Sequence, residues 1–396
     1  MKKEYIVSFN GVWYHFYNKP SIGFCVSEKK DIRFINEKIL LKDAYCDFSV
    51  STNDKGIYVV CQDIFGSIVF FMFDSSNWNS KIILEAKDKK PEYKKLTLIP
   101  MGEFINLFFV ISSKGEKILV HQILNGKTSL PNVIDKVSDS NFSVCPHKTS
   151  DMTLLYKNES NEYGTKTYKW SKKAFSEFIP LDCGCTLDKP VSFIDDNDCL
   201  NIAAYVTFDK FTNIIYIKKD LYSGEINLAA IHLIIGSPDG LCINSENKCL
   251  NVSWCEDGLV MSSSFENNKW TKPKKFLKGA SCKNTLYIIS EGSKISSSFG
   301  YKKDEKILLY DSVKNIQNSP VKSFSKDLEK RSDYVKTSIY AKDLAAIRKL
   351  LSSQNDIINE LSKKISVLEG TDNSDTILEN PDDLDRFTAS NIAKES

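Results

Sequence analysis

The chain has 396 residues, 42% of them hydrophobic and 26% charged, with 53 Lys+Arg against 51 Asp+Glu. This composition allows a large buried core and excludes a chain that is disordered throughout. No basic stripe gathers the positive charge, which excludes the electrostatic footprint of a nucleic-acid binder. Arginine occurs only as Arg33, Arg331, Arg348 and Arg386.

At the N-terminus, MKKEYIVSFNGVWYHFY has two lysines but no apolar stretch long enough for a signal-peptide core, because Asn10, Gly11 and His15 interrupt it. The expectation is a cytoplasmic protein, with surface association by a route other than a signal peptide as the alternative. The longest apolar runs, INLFFVI from Ile105 and LAAIHLII from Leu228, fall short of the roughly 18 to 20 residues a spanning helix needs, so no membrane partner is expected. The 11 cysteines are an odd number and lie in strand-like segments, as buried reduced thiols do.

Up to about residue 320 the chain is a series of short runs rich in Val, Ile, Phe, Tyr and Trp, separated by turn residues. This patterning predicts an all-β structure. The clearest unit begins at Cys46: a strand over Phe48 to Ser51, a turn at NDKG, a strand over Ile57 to Gln62, a turn at FGS, a strand over Ile68 to Phe73, and a last strand opening at Trp78. The unit from Leu241 repeats the plan as LCINS, CLNVSWC, LVMSSSF and KWTKPKKFL, with Trp270 where the fourth strand begins. CLNIAAY from Cys199 and CLNVSWC from Cys249 then occupy the same second-strand position of two units. Segments around Lys95, Phe142 and Pro190, the N-terminal stretch and the stretch from Thr285 complete about seven units spaced by roughly 42 to 50 residues, the period of four-stranded propeller blades.

A pair of β-sandwiches would also show short strands and polar turns. The period and the matching tryptophans favour a β-propeller of about seven blades over residues 1–320, with six blades as the variant if the last unit is weak. Asn10-Gly11, Asn125-Gly126 and Asp257-Gly258 carry the positive-φ chemistry of tight hairpins.

From about Ser325 the pattern changes. Leu344, Ile347, Leu351, Gln354, Ile358, Leu361, Ile365 and Leu368 alternate by three and four, the a/d seam of a heptad repeat. This predicts a coiled-coil helix over 325–370 that gathers the chain into a dimer or trimer. A single amphipathic helix packed on the β domain is the alternative, although a two-in-seven stripe is narrow for it. Residues 371–396, acidic and polar, are expected to be a disordered tail.

The units resemble the blades of sialidase-like and lectin-like β-propellers, which share four-stranded repeats with an aromatic and an Asp/Gly turn in each blade. The resemblance spans about residues 4 to 320 and implies a fold rather than a chemistry. The nearest match to the Asp-box of that superfamily, Thr52-x-Asp54-x-Gly56-x-Tyr58, lies between first and second strands and reads as a hairpin turn. A sialidase needs three arginines for the substrate carboxylate, and this region contains only Arg33, so that activity is excluded. A glycoside hydrolase with a carboxylate pair remains the alternative, with Asp195, Asp196, Asp198, Asp209 and Glu256 as carboxylates that also have ordinary turn roles.

Cys183-Gly-Cys185, with Cys145-Pro-His147, is thin for a metal site, and neither metal nor cofactor is expected. His15, His121, His147 and His232 read as structural. What remains is binding: Trp78, Trp170, Phe175 and Trp270 sit where side chains reach a blade edge, either to stack on a sugar face or to fill the space between blades. The expected function is a non-enzymatic, multivalent platform for a protein partner or a glycan.

Overall fold

In the computed structural model, the described residues are 2–310, apart from short stretches at 31–32, 88–93, 114, 126, 209–210, 237, 247–248, 277–283, 292–293 and 304. The heptad seam from Leu344 to Leu368 and the acidic tail lie outside the described residues. The described strands all fall within the unit Met1–Asn318.

Strands of alternating character, joined by tight turns, pair with their chain neighbours as antiparallel meanders. The first meander is β1 (Lys2–Phe9), β2 (Val12–Lys19), β3 (Gly23–Lys30) and β4 (Arg33–Leu41); the second is β5 (Ala44–Asn53), β6 (Gly56–Asp63), β7 (Ile68–Phe73) and β8 (Trp78–Leu84). The third consists of β9 (Thr97–Met101), β10 (Phe104–Ser113), β11 (Glu116–Asn125), the short β12 (Lys127–Thr128) and the first part of β13 (Asn132–Pro146). The second part of β13 opens the fourth meander, with β14 (Met152–Asn158), β15 (Tyr163–Lys169), β16 (Ala174–Phe175) and β17 (Ile179–Pro180). The fifth is β18 (Asp188–Ile194), β19 (Cys199–Phe208), β20 (Phe211–Asp220) and β21 (Ile226–Ile234). The sixth is β22 (Pro238–Glu246), β23 (Cys249–Glu256), β24 (Leu259–Glu266), β25 (Lys269–Trp270) and β26 (Lys274–Phe276); β27 (Thr285–Glu291), β28 (Lys294–Lys303) and β29 (Lys306–Leu309) end the series.

The fold is all-β and propeller-like. The first strands of successive meanders lie against one another, β1 by β5, β5 by β9, β13 by β18 and β18 by β22. The N-terminal strand closes the series: β1 pairs in parallel with β27 from Lys2↔Thr285 to Ser8↔Glu291, so one seven-stranded sheet runs β29-β28-β27-β1-β2-β3-β4.

Two details were not legible in the repeat. The third unit, read as three strands, has a fourth in residues 132–137 at the start of β13, which continues without a break into the next meander. The fourth strands of the fourth and sixth meanders are each broken into two short pieces, β16 and β17, and β25 and β26. In the sixth the break contains Pro273, which has no N–H to give to a ladder.

The repeat of Leu-Asn is a structural equivalence down to single hydrogen bonds. In β19, Asn201 Nδ2 donates to Cys199 O at 2.9 Å and Tyr216 of the third strand donates to Asn201 Oδ1 at 2.6 Å. In β23, Asn251 Nδ2 donates to Cys249 O at 3.1 Å and Ser264 of the third strand donates to Asn251 Oδ1 at 2.6 Å. Turn chemistry also follows expectation: Asn10 and Gly11 have φ of 50° and 76°, and Asp257 and Gly258 have 49° and 75°.

The core lies between neighbouring meanders. Tyr5, Val7 and Phe24 of the first pack on Phe48, Val59 and Phe71 of the second. Tyr205 and Ile214 of the fifth pack on Trp254 and Val252 of the sixth.

The core histidines are partnered. His121, 1% exposed, stacks on Phe108 and donates Nε2–H to Asn106 Oδ1 at 2.9 Å. Burial pushes it down from 6.5 to about 4. The unfolded chain takes up that proton near 6.5 and the folded chain near 4, so the stability carried by the neutral ring is whole above about 6.5 and falls as pH drops through that window. Urea titrations between those limits are expected to show His121→Gln losing less stability on acidification than the native chain, by up to about 3 kcal/mol.

Candidate functional site

Among the described residues, two grooves between meanders stand out. The more apolar one, about 260 Å³, lies between the second and third. Tyr58, Phe70 and Met72 form its floor with Ile105 and Leu124, and Asn79, Ser80, Lys81 and Glu103 stand around it. Tyr58, Phe70, Met72, Asn79 and Lys81 share a face because the register puts Tyr58 opposite Met72, Met72 opposite Asn79 and Phe70 opposite Lys81. The Tyr58 and Phe70 rings are near parallel, 15° apart with centroids at 6.2 Å, and Lys81 Nζ stands 5.7 Å from the Phe70 centroid. Lys55, from the β5–β6 hairpin, pairs with Glu103 and by that hydrogen bond holds it below the usual carboxylate range. The Thr52-x-Asp54-x-Gly56-x-Tyr58 stretch is that same hairpin, with Asn53 opposite Gly56. The second groove, about 280 Å³, is lined by turn residues of the first and second meanders, among them Pro20, Lys42 and Ile64.

The four aromatics singled out in the sequence lie at seams. Trp78 stacks on Phe73 at 5.0 Å and meets Phe16 of the first meander edge-on at 6.0 Å. Trp170 lies 4.7 Å from Phe104 of the third meander, and Phe175 meets His121 there edge-on at 5.6 Å. Trp270 meets Tyr216 of the fifth meander at 5.2 Å. Each ring therefore packs against the preceding meander, and each residue keeps part of its surface in solvent.

A second concentration of chemistry, missed in the sequence, sits where the first strands begin. β5, β13, β18 and β22 each carry a register shift there, between Ala44 and Phe48, Val137 and Phe142, Asp188 and Val191, and Pro238 and Leu241. A bulge re-aims its side chains, and Asp47, Asp139, Asp188 and Asp239 stand at these positions. A signal existed in the apolar-small-apolar triplets Phe48-Ser49-Val50, Phe142-Ser143-Val144, Val191-Ser192-Phe193 and Leu241-Cys242-Ile243, each preceded by an Asp within three residues.

Asp47, 5% exposed, accepts from Leu96 N at 2.9 Å. Burial pushes its carboxyl up to about 6. Lys95, with φ of 47° and its Nζ 5.3 Å from the Phe142 centroid, is pushed down to about 7 by burial and by the charge of Lys3, against the pull of Asp139 and Asp47.

The turn carboxylates hold the backbone. Asp195 accepts from Asn197 N, Cys199 N and Asn201 Nδ2. Asp196 pairs with Lys148 at 2.8 Å, and Asp198 Oδ1 lies 3.7 Å from His147 Nδ1. Glu256 Oε1 accepts from Ile235 N and Gly236 N, both at 3.0 Å, and so fastens the link between the fifth and sixth meanders. Asp209 lies outside the described residues.

Cys145 Sγ is 3.2 Å from Ser192 Oγ, and His147 Nε2 is 2.7 Å from Thr153 Oγ1. Among the described residues no three His, Cys, Asp or Glu side chains come together as a metal site.

A buried polar chain also runs between β1, β2 and β4. His15 Nε2 lies 2.6 Å from Glu4 Oε2, the His15 ring stacks on Tyr17 at 4.5 Å, and Tyr17 donates to Glu37. Ser27 faces His15 across the register, but at 2% exposure it is closed to substrate, so the row is structural.

No family model matches the chain, and no curated protein matches it by sequence. Among solved structures it is similar to hydrazine synthase of Kuenenia stuttgartiensis, at 8% identity and a TM-score of 0.52, over 77% of this chain and 94% of that one. It also overlaps the six-bladed, fucose-recognising lectin of the fungus Aleuria aurantia, at 12% identity and a TM-score of 0.45, over 70% of this chain and 96% of the lectin. An ulvan lyase, a polysaccharide lyase, overlaps at 8% identity and a TM-score of 0.47, over 66% of this chain and 78% of the lyase. The first likeness shows a shared fold alone, and the other two are too distant to argue from.

Proposed function

We propose that this chain is a binding platform for glycans, a propeller of seven blades whose seams present the ligand sites, rather than an enzyme. The observation that carries this reading is the groove between the second and third meanders, in which an apolar floor of Tyr58, Phe70 and Met72 is ringed by amide, hydroxyl, ammonium and carboxylate groups. A sugar ring has apolar C–H faces and a hydroxyl edge, and a pocket of few polar groups over an apolar floor matches both. The half-exposed rings at the other seams, Trp78, Trp170, Phe175 and Trp270, make further weak sites in this reading. The heptad seam from Leu344 to Leu368 joins copies into a dimer or trimer, so that a second contact becomes intramolecular and avidity rises without new contacts. Light scattering is expected to show an oligomer for the full chain and a monomer for a chain ending at residue 323; two monomers refute the stalk.

The direct test is a broad glycan array with the full chain, repeated with Asn79→Ala and Glu103→Ala. Both side chains are exposed, so the variants are expected to keep their melting temperature and to lose binding about tenfold or more each. Trp78→Ala removes seam packing as well, and its loss of binding counts only if the fold survives. A blank array with the native chain refutes the glycan reading and leaves a protein partner as the ligand.

A further inference from the structure

The connection between the fourth and fifth meanders runs from Pro180 to Asp188 and contains Cys183-Gly184-Cys185. It is tightly folded. Leu181 N donates to Tyr163 O at 2.8 Å, Cys183 N donates to Leu181 O at 2.9 Å, and Gly184 has a φ of 65° with open space where a Cβ would stand. This turn brings the two sulfurs together: Cys185 Sγ donates to Cys183 Sγ at 3.6 Å, and Cys183 Sγ lies 3.4 Å from Cys185 O. Both thiols pack against the buried cluster of Leu181, Leu187 and Cys145, yet both residues keep part of their surface in solvent. Most other described cysteines differ in burial: Cys25, Cys61, Cys145, Cys199, Cys242 and Cys255 are buried.

We infer that Cys183 and Cys185 form a reversible thiol–disulfide pair that exchanges with small-molecule disulfides, locking the connection between these meanders when oxidised. Closing the S–S bond brings the sulfurs nearer by about 1.5 Å, from the contact distance to about 2.05 Å, a movement within reach of side-chain rotation. Burial, with the neighbouring Cys183, pushes the Cys185 thiol up to about 12, so Cys185 holds its proton the more firmly and the first attack is assigned to Cys183. The Cys183 thiolate attacks one sulfur of glutathione disulfide, forming a mixed disulfide and expelling one glutathione thiolate. Cys185 then gives up its proton to solvent and attacks the Cys183 sulfur, expelling the second glutathione. The net change is two protein thiols and one glutathione disulfide to one protein disulfide and two glutathione thiols. A small ring closed over one residue is strained, and strained disulfides are the readily reduced ones.

The test uses the full chain equilibrated in glutathione buffers from fully reduced to fully oxidised, quenched with acid, alkylated, and mapped by mass spectrometry without reduction. The expected result is a peptide spanning Cys183 and Cys185 that loses two hydrogens and gains no alkyl group as the buffer is oxidised, and recovers both alkylation sites on reduction. With Cys185→Ser, glutathione is expected to remain attached at Cys183; with Cys183→Ser, Cys185 is expected to stay unmodified at the same ratio. Alkylation of both cysteines at every ratio overturns the proposal, as does a disulfide from either of them to Cys145. Because the mapping of the native chain decides the matter alone, a variant that fails to fold does not obscure the outcome.

Discussion

Replacing Val7 by proline is expected to lower the stability of the unit by about 3 kcal/mol or more, read from the shift of its urea transition. Val7 is fully buried in β1, opposite Tyr14 of β2 and level with Ser290 of β27. A strand between two partners has no free edge, so a residue without an N–H and with φ held near −65° breaks a ladder whichever neighbour that N–H served. The loss also extends beyond a single hydrogen bond, because β1 is where the end of the series of meanders meets its beginning. An opened β1–β27 pair exposes the cluster of Ile6, Phe34 and Tyr287 that lies between the first and last meanders. Val7→Ala keeps the N–H and loses only packing, about 2 kcal/mol. A Val7→Pro transition that coincides with that of the native chain would mean that the parallel pairing does not close the structure.

Trp254→Ala is expected to cost about 3–5 kcal/mol. Trp254 is 0% exposed and heads the fully buried side chains by volume. It packs with Tyr205, Ile214 and Tyr216 of the fifth meander, lies 5.2 Å from His232, and its Nε1–H points to Glu256 Oε2 at 3.4 Å. Truncation leaves a cavity that strands on both sides cannot close, since Glu256 pins the link between them through Ile235 N and Gly236 N. Trp254→Phe fills most of that volume and is expected to lose less than half as much. Equilibrium urea unfolding of both variants checks the pair, and a loss below about 1 kcal/mol for the alanine variant would contradict the packing described.

Trp254 also marks a limit of the sequence reading. Trp78 and Trp270 stand out in the sequence, with Trp170, because they lie near the start of fourth strands or the end of third ones, whereas Trp254 lies inside the second-strand run CLNVSWC and reads as one more apolar residue. Position in a strand says which face a ring is on. It does not say whether that face meets a neighbouring meander or water, because that depends on chain far away in sequence. The same holds for the groove: Tyr58, Phe70 and Lys81 fall within the second unit, but Glu103, Ile105 and Leu124 arrive from the third.

The sequence by itself determined whatever is local. Period-two alternation specified the strands, paired turn residues such as Asn10-Gly11 and Asp257-Gly258 specified hairpins, and the recurring Leu-Asn specified a second-strand position now seen to be bonded alike in β19 and β23. Only the tertiary structure decided the parallel closure of β1 on β27, the sharing of β13 by two meanders, the gathering of Asp47, Lys95 and Asp139 at strand starts, and the contact of Cys183 with Cys185. Hydrophobic pattern fixes which face of a strand is buried, but pairing across hundreds of residues carries no local signal, and a bulge of one or two residues re-aims a side chain without altering the pattern around it.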